Sequence, residues 1–222
     1  MLFENREQAA RLLVVKLAAY RGQNPLVLGV PRGAMPMAKI IADGLGGDVD
    51  VVLVHKLGAP GQPELAIGSV DENGYVYLTA FVAELGVSDD YLKRETKLQV
   101  EGLRRRRQLY TPIRPPLDPA GRVVIIVDDG IATGSSMIAA LHAVREKKPA
   151  RVIVATAVAP PETVERLQGE ADEIVCLATP ATFFAIGTFF GDFSQVPDEE
   201  VMKILRTHPP GSKRDAGGSP GG

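Results

Sequence analysis

Four consecutive β-branched aliphatics, Val124-Ile125-Ile126-Val127, run directly into two carboxylates, Asp128 and Asp129. A run that is apolar on both of its faces belongs to a strand covered on both sides, which places it inside a largely parallel sheet. Charged groups can then stand only at the strand's C-terminal end, where open α/β sheets bind their ligands. The residues that follow, Gly130-Ile131-Ala132-Thr133-Gly134-Ser135-Ser136, are small or carry hydroxyls and lead into a helical pattern over 134–147. The free N–H groups of a helix N-terminus cradle phosphate, and glycine permits close approach. Adjacent carboxylates accept hydrogen bonds from neighbouring hydroxyls. The turn therefore offers an anion seat beside a diol seat, and a phosphorylated ribose has both.

The rest of the chain alternates in kind. Asn5 with Gln8 resembles a capping box, and Ala9, Leu12, Leu13, Lys16 and Leu17 follow at helical spacing until Gly22. Strands are expected at 26–30, 49–54, 122–127, 152–158 and 174–177, and helices at 34–45, 89–110, 161–167 and 198–206. Between them, Leu65–Val70 and Tyr75–Leu78 flank Asp71-Glu72-Asn73-Gly74, a hairpin signal. The fold class is α/β: a mostly parallel central sheet with helices on both faces. A single domain is expected over 1–208, with a core of about 23–178 and a small cap from 1–22 and 179–208. The Pro/Gly/Ser-rich stretch 209–222 reads as a flexible tail.

Composition narrows the class. Formal charge is −2 over 222 residues, so a protein that coats nucleic acid is not expected. No apolar run reaches membrane-spanning length. Cys176 is the only cysteine, which leaves no intramolecular disulfide and no cysteine-based zinc site. The acidic, interrupted start does not read as a signal peptide, and a cytoplasmic enzyme is the expected class.

The motif is not a Walker A loop, because no Gly-Lys-Ser/Thr follows at the required spacing, and Gly-x-Gly-x-x-Gly is absent. The thirteen residues Val124–Ser136 instead resemble the phosphoribosyl-pyrophosphate (PRPP) signature of the type I phosphoribosyltransferases. The resemblance implies that Asp128 and Asp129 hold the ribose hydroxyls. It also implies that Gly130, Ala132, Thr133, Gly134, Ser135 and Ser136 surround the ribose and 5′-phosphate. Pro31-Arg32-Gly33, after the first sheet strand, is similar to the family's pyrophosphate loop, where members often have a cis or strained non-proline peptide; here it would join Pro31 to Arg32. Lys56, read as ending the second strand, matches a basic residue that reaches pyrophosphate. The resemblance thus implies a catalytic set of Asp128, Asp129, Lys56 and Arg32. Mg2+ is the implied cofactor, held mainly through substrate with Asp128 and Asp129 as its protein contacts. The hairpin tip 71–74 falls where the family has a mobile loop, and Glu64 is a conceivable counterpart of its proton-handling glutamate.

Two departures bear on the acceptor. Ala132 stands where 6-oxopurine members have aspartate, and Val152–Val158 lacks their base-reading lysine; both disfavour a 6-oxopurine. Five of seven phenylalanines lie in 183–193. In that segment Phe184 is a candidate to stack on a base and Asp192 to hydrogen-bond it, while the other rings read as a small core. His55 reads as structural or as a helper, and His142 and His208 as lacking partners for nucleophilic catalysis. The leading expectation is transfer of the phosphoribosyl group from PRPP to a nitrogenous acceptor, a nucleobase first, with release of pyrophosphate. The alternative is a non-catalytic PRPP- or nucleotide-sensing regulator on the same fold. Homo-oligomerisation follows only from the family's habit.

Overall fold

The structure, a computed structural model, describes residues 2–208. In chain order the elements are α1 (Arg6–Lys16), β1 (Leu26–Gly29), α2 (Met35–Leu45), β2 (Asp48–Val51), β3 (Val54–Ala59), β4 (Gln62–Asp71), β5 (Val76–Leu78), α3 (Phe81–Glu84), α4 (Asp89–Tyr110), β6 (Val123–Asp128), α5 (Ser135–Arg145), β7 (Arg151–Val158), α6 (Pro161–Gln168), β8 (Glu173–Ala178) and α7 (Asp198–Thr207). The tail expected over 209–222 lies outside the described residues.

Five strands form a parallel sheet in the order β2-β1-β6-β7-β8. Its central strand is β6, whose Val124, Ile125, Ile126 and Val127 are all fully buried. Burial of each such side chain is worth about 2 kcal/mol. Alternate residues feed opposite faces. Val27, Ile125, Val127 and Ile153 pack with α1 and α2, whereas Leu26, Leu28, Val124 and Ile126 pack with Met137 and Leu141 of α5 and Leu167 of α6. The sheet is therefore covered on both sides, as the unbroken apolar runs require.

The strand order fixes where a ligand can enter. From β1 the chain crosses to β2 at one edge; from β6 it crosses to β7 and on to β8 at the other. The connections after β1 and β6 diverge, and a crevice opens between them at the C-terminal ends of the strands.

The second strand differs from the sequence reading. The apolar run Val49–Val54 does not stay in one strand: β2 ends at Val51 and β3 begins at Val54 in a separate antiparallel sheet, β3-β4-β5. The reason lies in its neighbour. Val52 N–H donates to Gly29 O at 3.1 Å, the last residue of β1. Beyond it the chain turns at Pro31 and leaves no further strand to pair with. Lys56 therefore does not end the second strand; it lies within β3, opposite Ser69.

The hairpin forms as predicted, with Val70 paired to Val76 across the turn. Asp71 organises it, accepting the N–H groups of Asn73 (2.9 Å) and Tyr75 (2.8 Å). The tip is tied to α4, away from the crevice. Arg107 of α4 grips Glu72 with two 2.6 Å hydrogen bonds. Tyr77 stacks on His142, near the C-terminal end of α5 and away from the α5 N-terminus.

The N-terminal segment meets the segment that follows β8. Phe3 N–H donates to Phe189 O (2.9 Å), Gly191 N–H to Phe3 O (2.8 Å) and Asp192 N–H to Glu4 O (2.8 Å). Helix α1 starts where predicted, with the Asn5 side chain accepting Gln8 N–H at 2.9 Å. The reciprocal bond falls one residue early: Gln8 Oε1 accepts from Glu4 N–H at 2.8 Å. The described residues contain no helix long and apolar enough to cross a membrane.

Candidate active site

Asp128 is the last residue of β6 and Asp129 the next, so both stand at the crevice. Asp129 N–H donates to Asp128 Oδ1 at 2.9 Å, which fixes the first carboxylate. Burial, together with the charge of Asp129, pushes Asp128 well above the usual carboxylate range. Burial also raises Asp129, but here the Arg6 guanidinium opposes the shift. Arg6 Nε donates to Asp129 Oδ2 at 2.7 Å, and both side chains are nearly enclosed, 13% and 10% exposed.

The turn beyond the acids is held open by its neighbours. Gly134 has φ 74°, a left-handed conformation suited to glycine, and forms the N-cap of α5. The first turn of α5 has no carbonyls ahead of it, so its N–H groups point into the turn. Thr163 Oγ1 donates to Ala132 O at 2.7 Å and ties the turn to α6. Thr133 Oγ1 and Ser135 Oγ lie 3.2 Å apart. Asp128, Gly130, Ala132, Thr133, Gly134, Ser135 and Ser136 line one open pocket of about 200 Å³, together with Ile186. A Cβ on Gly130 would run into Ile186, with Cγ1 only 2.9 Å away, so the glycine is needed for this approach.

The connection after β1 forms the opposite wall. The Pro31–Arg32 peptide is cis, as the resemblance implied. A Cβ on Gly33 would collide with Asp129 Oδ2, and would lie 3.3 Å from Arg6 Nη2. The pyrophosphate-like loop and the acid pair are therefore in direct apposition. Arg32 itself reaches Asp198 at 3.3 Å, with its side chain 42% exposed.

In the cap segment most aromatic rings pack together. Phe3 meets Phe190 at 5.5 Å between centroids, Phe190 meets Phe193 at 5.0 Å, and Phe183 meets Phe189 at 5.2 Å. Phe184 is the exception, 88% exposed. Asp192 accepts the N–H (3.0 Å) and hydroxyl of Ser194, which holds its carboxyl below the usual range.

The structure thus brings together Asp128, Asp129, Gly33 and the phosphate-like turn. It leaves Lys56 on the smaller sheet and Phe184 at the surface. His142 and His208 have structural contacts only, and neither lies beside a nucleophile among the described residues. His142 Nε2 is 3.1 Å from Glu170, and His208 Nε2 is 2.9 Å from Gly47 O. Two site residues were not predicted. Arg6 looks like an exposed first-turn arginine, and Ile186 is an aliphatic in a loop; neither carries a local signal.

Among the described residues, no group of three or more His, Cys, Asp or Glu is arranged to hold a metal ion. Magnesium does not need one when phosphate oxygens and waters complete its shell. Two adjacent carboxylates at the mouth of a phosphate turn fit that mode of binding.

The comparisons with known proteins agree with this geometry. A family model described as phosphoribosyl transferase domain matches residues 2–189. A protein of Mycobacterium tuberculosis, provisionally named a phosphoribosyl transferase and found in strains CDC 1551 and H37Rv, is 40% identical over 210 residues. Those residues are 93% of this chain but 47% of the relative, so the chain spans about half the length of the curated relatives it matches. The crystal structure of TT1426 from Thermus thermophilus superposes with a TM-score of 0.85 at 46% identity, covering 94% of this chain and 99% of that one. With a family model over most of its length and the family's α/β fold around the acid-tipped strand, the chain belongs to the phosphoribosyl transferase family.

Proposed function

We propose that the protein transfers the 5-phosphoribosyl group of PRPP to a nitrogenous acceptor, a nucleobase being the leading class, with release of pyrophosphate. The observation that carries this reading is the apposition of the Asp128–Asp129 pair, the α5 N-terminus and the Pro31–Gly33 loop around one crevice at the sheet's switch point.

Each part has a role its chemistry suits. The N–H groups at the start of α5, with the hydroxyls of Thr133, Ser135 and Ser136, take the 5′-phosphate. Asp128 and Asp129 accept hydrogen bonds from the ribose hydroxyls. Backbone around Gly33, with Arg32, faces the pyrophosphate. In the transfer the C1–oxygen bond breaks and its electron pair leaves with pyrophosphate. The acceptor nitrogen lone pair forms the new C1–N bond, and the nitrogen gives up its proton. C1 becomes oxocarbenium-like on the way, so the two fixed carboxylates stabilise developing positive charge without reorganising. Magnesium, when bound through substrate oxygens and the acid pair, offsets charge on the leaving group.

PRPP with magnesium should raise the melting temperature, by linkage to the folded state. Pyrophosphate release should then be screened over purines, pyrimidines and small amines. Release with one acceptor class supports the transfer. PRPP binding with no release across a broad panel would move the reading to a sensor, and no PRPP binding at all would remove it.

A further inference from the structure

The geometry points to Arg6 as a positioning residue for ribose recognition: it holds Asp129 in the orientation that accepts the sugar hydroxyls. The inference rests on the phosphoribosyl reading above and extends it to a residue 123 positions away in sequence.

Three contacts fix the Arg6 guanidinium. Nε donates to Asp129 Oδ2 at 2.7 Å, Nη1 donates to Ser194 O at 2.8 Å, and its carbon lies 3.8 Å from the centre of the Phe193 ring. A guanidinium held by a carbonyl and an aromatic face has little freedom left. It occupies Oδ2 of Asp129, on the side where Gly33 also closes in. With Oδ2 taken by Arg6, and the N–H groups of Gly130 and of Asp129 itself also acting on this carboxyl, Oδ1 is the oxygen assigned to a sugar hydroxyl. A buried carboxylate without such a partner would be free to turn, and its ion would be poorly compensated. The same contact makes the ribose seat depend on the cap, since Phe193 and Ser194 hold the residue that holds Asp129.

The expected consequence is selective. Loss of Arg6 should weaken recognition of the diol more than recognition of the phosphate. The probes are ribose 5-phosphate and 2-deoxyribose 5-phosphate, which share the phosphate and differ by one hydroxyl. Calorimetry should show the wild-type chain preferring ribose 5-phosphate. Arg6→Gln should reduce that preference on the order of tenfold, the scale of one hydrogen bond involving a charged group. Arg6→Lys, which keeps the charge, should retain part of it. It also serves as the second variant should Arg6→Gln fail to fold, circular dichroism being the check.

A merely structural arginine would weaken both sugars alike, so an equal loss of the two overturns the inference. So does full preference in the folded variants. If the wild-type chain binds neither sugar phosphate, the ribose-phosphate reading falls first and this inference falls with it. Selective wild-type binding with unchanged variants removes the Arg6 role alone.

Discussion

The turn at 128–136 and the cap segment at 183–193 face each other across Gly130, where Ile186 closes on the turn. They are built differently. The turn works through groups that are consecutive in the chain: two carboxylates, a left-handed glycine, three hydroxyls and the first N–H groups of a helix. The cap works through assembly. Phe190 needs Phe3 beside it, and Phe193 needs Arg6 stacked on its face. A phosphate seat can be made by local backbone, since it needs only aligned donors. A seat for an acceptor needs side chains from distant elements, and its specificity lies in their arrangement.

The largest expected effect tests the local half. Replacing Asp128 and Asp129 together with asparagine should abolish the thermal stabilisation by PRPP and magnesium. That stabilisation is worth about 2.7 kcal/mol when ligand is a hundredfold above its Kd. Without ligand, Asp128→Asn alone should not weaken the fold. Burial raises the Asp128 pKa in the folded state, so the unfolded chain loses its proton first as pH rises. Wild-type stability should therefore fall from the ordinary carboxylate range up to the raised folded value, and urea midpoints across that range should be flatter in Asp128→Asn. An undiminished response to PRPP in the double variant would break the assignment of the diol seat.

That contrast also explains what could be read from sequence. The strand Val124–Val127, its acids and helix α5 were legible because each signal is local: apolar on both faces, then charge, then a cap. The start of α1 at Asn5 and the span of α4 were legible for the same reason. The break at Val51 was not, because it depends on where the neighbouring strand β1 runs out, and that is a property of the pair. The hairpin was visible in Asn73-Gly74, but its anchorage by Arg107 to Glu72, 35 residues apart, was not. Arg6 was hidden most completely, since its role exists only once the N-terminal segment meets the segment that follows β8.

The junction between the halves gives the next effect. Gly130→Ala places a methyl group against Ile186, and the cap must shift or the turn must yield. Overpacking of this kind costs roughly 1–3 kcal/mol. Urea unfolding should show that loss, and PRPP affinity should fall with it if turn and cap move as one body. A variant of unchanged stability would show that Ile186 relaxes freely and that the halves are uncoupled.

A smaller effect lies within the turn itself. Thr163→Val removes the hydroxyl that donates to Ala132 O at 2.7 Å while keeping the shape of the side chain. The cost should be about 1 kcal/mol of stability. Because Thr163 tethers the turn without lining it, PRPP affinity should drop only a few-fold.

The least effect on the fold, and the most informative for the acceptor, belongs to Phe184. Its ring is 88% exposed while the other phenylalanines of the segment pack against neighbours. Phe184→Ala should leave stability within about 0.5 kcal/mol, as for surface substitutions generally. On the proposed reading, an aromatic face at the surface of the cap has a use once a planar base lies on it, and such stacking contributes about 1–3 kcal/mol per base. With the acceptor found by the pyrophosphate screen, KM for that acceptor should rise about tenfold or more, while PRPP affinity measured without acceptor stays unchanged. Phe184→Leu, which keeps an apolar side chain but not a planar one, should show nearly the full loss, whereas Phe184→Tyr should show little of it. Equal acceptor KM in wild type and Phe184→Ala would move acceptor recognition away from this ring.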